Sequence, residues 1–151
     1  MVPSPAFLGC VMPSYYEVYD EGRTVLELWT GVVAHEEIVA QTRDQLQDTR
    51  ILPGASLLVD ATRARFETPA ELVHEVSAEF GRPERKTSIV KHALLVNSAA
   101  WDRAQLLARE AEGFGVTSIV FTSLDIACQW LGLDPATARD RFLEMLAHPP
   151  G

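Results

Sequence analysis

The sequence predicts one α/β domain: a single mixed, mostly parallel β-sheet with an N-terminal β-hairpin, βα units and a C-terminal helix. Three observations carry this reading. Two segments rich in aromatic and β-branched residues flank a short acidic turn near the start of the chain. Three short apolar runs follow, each preceded by a segment whose apolar residues recur at helical spacing. Glycine and proline stand at the ends of those segments rather than within them.

Residues 15–19 and 24–30 are the two aromatic and β-branched segments, and Asp20-Glu21-Gly22 between them makes an antiparallel hairpin the natural reading. Ile38, Thr42 and Leu46 then recur at helical spacing until Pro53-Gly54 breaks the pattern. Ser56-Leu57-Leu58-Val59, closed by Asp60, reads as a strand buried on both faces of a parallel sheet. Leu72, Val76 and Phe80 mark a second helix, ended by Gly81 and Pro83, and residues 92–96 the next strand. Trp101, Ala104, Ala108 and Ala111 mark a third helix, which Gly113 and Gly115 end before a strand over residues 117–121. Ser123 caps a short helix through Trp130 and Leu131. Asp134-Pro135, an N-cap followed by proline at the first helical position, opens a last helix with Ala138, Phe142 and Met145 on one face. Strand–helix alternation with short loops implies parallel neighbours joined by helical crossovers.

The chain has 151 residues, enough for one domain with a proper core, and 47% hydrophobic against 23% charged residues is ordinary globular composition. The domain is expected over residues 14–147, after an irregular stretch at 1–13. A formal charge of −8 disfavours generic binding to nucleic acid or anionic lipid. No run approaches the ~20 apolar residues that span a bilayer, so no membrane insertion is expected. Cys10 and Cys128 form no CxxC pair, which fits free thiols and a cytoplasmic location.

Residues 119–131, Ile-Val-Phe-Thr-Ser-Leu-Asp-Ile-Ala-Cys-Gln-Trp-Leu, resemble the ending of uncharacterised bacterial relatives in the SpoIIAA-like superfamily, which includes the STAS domains. Leu57-Leu58-Val59-Asp60 is similar to their central strand with its terminal aspartate, and the hairpin followed by βα units has their element order. The resemblance covers roughly residues 15–133. It implies a small regulatory or ligand-binding module rather than a catalyst. In the anti-sigma-factor antagonists a serine within Asp-Ser-Ser-Gly is phosphorylated by a partner kinase, and Thr68 falls near that position. Pro69-Ala70 follows here and the Ser-Gly portion is absent, a departure from that pattern. Local chemistry gives Thr68 a different role, because Thr68-Pro69-Ala70-Glu71 reads as a capping box with the threonine as N-cap.

Asp60 at the carboxyl edge, with Thr62, Arg63 and Arg65 in the same loop, forms a candidate rim for an anion or a partner. The competing reading is a turn aspartate bonding its own backbone beside solvated arginines. Arg82, Arg85 and Lys86 precede the next strand and so lie at the opposite edge. Glu71, Glu75 and Glu79 form an acidic stripe at helical spacing, expected to be a solvated face. His35-Glu36-Glu37-Ile38-Val39 begins like a zinc-protease helix, but Val39 stands where a second histidine ligand is required, and His74, His92 and His148 have no partner at ligand spacing. No metal or cofactor is expected. Gly113-Phe114-Gly115 lies between helix and strand, the reverse of a phosphate-binding turn. Trp29, Trp101 and Trp130 are expected in the core or an interface.

Three functions compete. The first is a non-enzymatic STAS-like module that engages a protein partner, a second copy or a small ligand at the carboxyl edge. The second is a carrier of lipid or another apolar small molecule, of the kind found in Sec14-type domains. An enzyme is third. A cavity of several hundred Å³ lined by Trp and Phe would favour the carrier and a filled core the module, while two strongly perturbed titratable groups in one cleft would favour the enzyme.

Overall fold

The computed structural model describes residues 14–148. Strands β1 (Ser14–Tyr19), β2 (Thr24–Val33), β3 (Ala55–Phe66), β4 (Ile89–Leu95) and β5 (Thr117–Phe121) form one sheet in the order β1-β2-β3-β4-β5. β1 is antiparallel to β2 and the other three pairings are parallel. This is the expected α/β sheet with its antiparallel hairpin, in the element order that the SpoIIAA-like resemblance implies. Helices α1 (His35–Leu46), α2 (Val73–Glu79) and α3 (Trp101–Glu112) supply the crossovers and cover one face of the sheet. Helices α4 (Leu124–Leu131) and α5 (Pro135–Ala147) cover the other.

Two covered faces explain the unbroken apolar runs of the central strands. In β2, Val25 and Trp29 point to the first face, Leu26 and Leu28 to the second. In β3, Leu57 and Val59 share the first face and Leu58 lies in the second. β5, the third of the apolar runs, is not buried on both faces as the run at Leu57-Leu58-Val59 is. It is an outer strand, α4 sits mainly over β4, and Ile119 is left 37% exposed while its neighbour Val120 is buried.

The hairpin turns through Asp20, Glu21 and Gly22, all with positive φ. Gly22 is the crowded one: a Cβ there would lie 2.5 Å from the Arg50 carbonyl oxygen, and the Gly22 carbonyl accepts the Leu52 amide at 2.8 Å. Glycine lets the turn press against the segment that leads into β3.

β3 runs well past Asp60, to Phe66, so Asp60, Thr62, Arg63 and Arg65 are strand residues rather than a loop. The extension is paired on one side only. β4 ends opposite Asp60, while β2 continues to Val33 opposite Phe66. Between Leu28 and Thr30 of β2, β3 advances from Asp60 to Arg63, one residue too many. That extra residue is a β-bulge, and its cause is local. The Asp60 carboxylate accepts the Thr62 amide at 3.0 Å and the Thr62 hydroxyl at 2.7 Å, and Arg63 Nη1 lies 3.3 Å away. The bulge switches the side-chain parity of β3, so that Ala64 and Phe66 join Leu57 and Val59 on the first face.

Asp134 caps α5 as expected, accepting the Thr137 amide at 3.1 Å. Ala138, Phe142 and Met145 are buried against Leu26, Leu28, Leu58 and Ala93, so the last helix docks on its own sheet. Thr68 does not cap a helix. Pro69 has extended ψ, a 3₁₀ turn begins at Ala70, and α2 starts only at Val73. The Thr68 side chain is instead turned inward, because a buried imidazole offers it a partner. Cys128 is a free thiol on the buried face of α4, and Cys10 lies outside the described residues. Among the described residues no helix is long and apolar enough to cross a membrane.

Candidate functional site

The first face of the sheet is incompletely filled. α2 has only seven residues, and Ala64, Ala100 and Ala104 stand where larger side chains would meet. A cavity of about 810 Å³ remains between the sheet and α1–α3. Protein interiors normally close-pack with few voids larger than a water molecule, whereas small-molecule sites occupy ~300–1,000 Å³. Trp29, Phe66, Phe80, Leu94, Val96 and Leu107 make its apolar walls. The end of β3 and the residues just past it (65–69), residues 97–100 after β4, and Arg103 of α3 surround its mouth. The mouth therefore opens at the carboxyl edge of the sheet, where open α/β folds bind ligands.

Four polar residues line the cavity away from its mouth: Glu27 of β2, Thr42 and Gln45 of α1, and His92 of β4. Glu27 shares the parity of Val25 and Trp29 and is buried with them. The Trp29 indole N–H and the Gln45 amide donate to its carboxylate. Burial outweighs those donors and pushes the Glu27 carboxyl up to about 7. His92 of β4 is also buried. Its Nδ1 lies 3.0 Å from the Ser118 hydroxyl, its ring lies 5.8 Å from Phe80, and burial depresses its pKa to about 4. Both groups are thus driven toward their neutral forms by one cause, removal from water.

At the mouth, His35 ties three elements together. Its Nε2 lies 2.7 Å from Glu75 Oε1 on α2, and its Nδ1 lies 3.1 Å from the Thr68 hydroxyl. In the neutral ring that donates Nε2–H to the Glu75 carboxylate, Nδ1 carries the lone pair and the Thr68 hydroxyl donates to it. Thr68 is buried and lines the cavity. Asn97 holds the opposite lip. Its amide donates to the carbonyls of Thr62 and Ala64 at 3.2 and 3.1 Å, and its side-chain oxygen accepts the Ala100 amide.

Of the predicted rim, Asp60, Thr62 and Arg63 meet one another at the bulge, while Arg65 alone lines the cavity. The acidic stripe is not a solvated face throughout. Glu71 is exposed, Glu75 binds His35, and Glu79 is buried in a two-pronged pair with Arg43, at 3.1 Å to Nε and 2.9 Å to Nη2. Arg82, at the opposite edge, pairs with Glu79 and Glu84. Glu27 and His92 escape a motif search because they follow no spacing. Glu27 does leave one trace, a carboxylate on the parity of Val25 and Trp29 in an apolar strand. Among the described residues no cluster of His, Cys, Asp or Glu could hold a metal ion.

No protein-family model matches the chain, and no curated protein matches it. Among solved structures, the chain is similar to an uncharacterized protein of the DUF3478 family with a SpoIIAA-like fold from Shewanella loihica PV-4. That match has 17% identity and a TM-score of 0.49, and covers 78% of this chain and 91% of the other.

Proposed function

We propose that this protein is a non-enzymatic cytoplasmic binding domain that holds an apolar small molecule between its sheet and α1–α3, admitting it at the carboxyl edge. The two perturbed groups of the cavity, Glu27 and His92, are engaged by Trp29, Gln45 and Ser118 and driven neutral by burial, which supports a wall of the cavity rather than an acid–base pair. One observation carries the reading: a cavity of about 810 Å³ walled by Trp29, Phe66 and Phe80 in a chain of only 151 residues. An empty space of that size forfeits the packing that its apolar walls would otherwise make, and a ligand restores it. The reading favours an enclosed ligand over a protein docked on the rim, because Asp60, Thr62 and Arg63 already satisfy one another at the bulge. The test is titration with the neutral fluorophore N-phenylnaphthylamine. Saturable binding is expected, with loss of binding in Ala104→Phe, which fills the cavity, at an unchanged or higher melting temperature. A folded protein that does not take up the probe overturns the reading.

A second reading, ester hydrolysis, is favoured by the order hydroxyl–imidazole–carboxylate in Thr68, His35 and Glu75, the arrangement that activates a nucleophile. Thr68 Oγ1 would attack the carbonyl carbon and pass its proton to His35 Nδ1. His35 would return that proton to the departing alcohol, and water would then release the acyl group from Thr68. Incubation with p-nitrophenyl butyrate should release p-nitrophenol with the wild type and Thr68→Ser but not with Thr68→Val. Release by the wild type no faster than by Thr68→Val leaves the trio as a brace for the mouth.

A further inference from the structure

We infer that the molecule taken up carries an uncharged acceptor oxygen, a carbonyl in the simplest case, and enters with that oxygen foremost to meet His92 Nε2. The inference rests on the cavity reading above and adds the ligand's polar group and its direction. His92 lines the cavity and is only 3% exposed. It has the side-chain parity of Leu94, so its ring stands on the first face of the sheet. Ser118, its register partner on β5, engages Nδ1 at 3.0 Å, and the Phe80 ring packs 5.8 Å away. Nε2 has no hydrogen-bond partner among the described residues. Which nitrogen holds the proton follows from Ser118. That hydroxyl is buried, and Nδ1 is its one side-chain partner among the described residues, so it donates there. The reverse arrangement would strand the hydroxyl proton without an acceptor. Burial keeps the ring neutral, its pKa held at about 4, and its single proton therefore sits on Nε2. The cavity wall thus carries an N–H donor that nothing in the protein receives.

The other polar residues away from the mouth are served within the protein. Glu27 accepts from Trp29 and Gln45, and the Thr42 hydroxyl donates to the Ile38 carbonyl at 2.9 Å. An ionised group beside His92 would find no opposite charge, since burial drives both that ring and Glu27 toward their neutral forms. The complementary group is therefore an acceptor without charge. β4 runs three residues beyond His92 to Leu95, ~10 Å, before Asn97 forms the lip. A ligand bonded to Nε2 extends its apolar body past Leu94 and Val96 toward the mouth.

Calorimetric titration of the intact protein with 2-acetylnaphthalene and 2-isopropenylnaphthalene tests the inference, because the two share a shape and differ only in a carbonyl oxygen against a methylene. The readout is the ratio of their affinities in the wild type compared with that ratio in His92→Phe, which keeps a ring and removes the donor. Differences in water solubility and in cavity shape then cancel. The wild type should favour the ketone ~10-fold more than His92→Phe does, the scale of one hydrogen bond to a donor otherwise left unpaired. The carbonyl stretch of the bound ketone should also lie at lower frequency in the wild type, a shift that a change of cavity shape alone would not produce. Equal ratios in the two proteins overturn the inference and leave the cavity reading standing. Failure of both ligands to bind either protein overturns both.

Discussion

Replacing Glu27 with Gln should convert a protein whose stability is nearly flat in mildly acidic solution into one whose stability climbs steeply with pH. Two buried groups of the cavity oppose each other. Glu27 titrates near 4.5 when unfolded and at about 7 when folded. Between those values the folded chain keeps a proton that the unfolded chain releases, so stability present below pH 4.5 is lost as pH rises to 7. His92 titrates near 6.5 when unfolded and at about 4 when folded. Between those values the unfolded chain holds the extra proton, so stability grows as pH rises from 4 to 6.5. At ~1.4 kcal/mol for each tenfold change, each group contributes ~3 kcal/mol, with opposite sign, over nearly the same window. Asp48, held well below the usual carboxylate range by Arg50, loses its contribution only at lower pH. Urea denaturation at half-unit steps from pH 4.5 to 6.5 should therefore give little slope in the wild type. Glu27→Gln should gain ~3 kcal/mol across the window as His92 acts alone, and His92→Gln should lose a similar amount as Glu27 acts alone. Because the readout is a slope, any uniform destabilisation by either substitution drops out. Parallel profiles for the three proteins would refute the reasoning, since they would mean that water reaches these groups in the folded state.

Gly22→Ala should lower stability by more than the ~1 kcal/mol typical of an unsuited backbone, because φ is +95° and the new Cβ would lie 2.5 Å from the Arg50 carbonyl oxygen; thermal denaturation followed by circular dichroism measures it, and an unchanged midpoint would contradict the turn geometry. Deleting the chain after Asp134 uncovers Leu26, Leu58 and Ala93. The truncated protein should melt lower or self-associate, and an unchanged melting temperature with unchanged mass in solution would show that α5 contributes nothing to the second face.

The fold class was legible in the sequence because its signals are local and periodic. Leu57-Leu58-Val59 is apolar at consecutive positions because both faces of β3 are covered, and Asp134-Pro135 carries the chemistry of a helix start. The same local reasoning failed where a distant partner outbid it. Thr68-Pro69-Ala70-Glu71 has the spacing of a capping box, yet His35, 33 residues earlier, offers the hydroxyl a buried partner, and the helix begins later. Glu79 looked like one member of a solvated stripe until Arg43, 36 residues away, enclosed it.

The sequence by itself determined the order of strands and helices, the hairpin and the apolar face of the last helix, since those depend on side-chain period and on glycine, proline and capping residues nearby. Only the tertiary structure decided that Glu27 and His92 line one cavity, that the bulge at Asp60 turns Ala64 and Phe66 into it, and that Arg103 stands at its mouth. The physical reason is that a cavity is a shortfall of volume among elements distant in sequence. Period and propensity report which side of an element is buried, but they carry no measure of how completely the opposing side chains fill the space between sheet and helices.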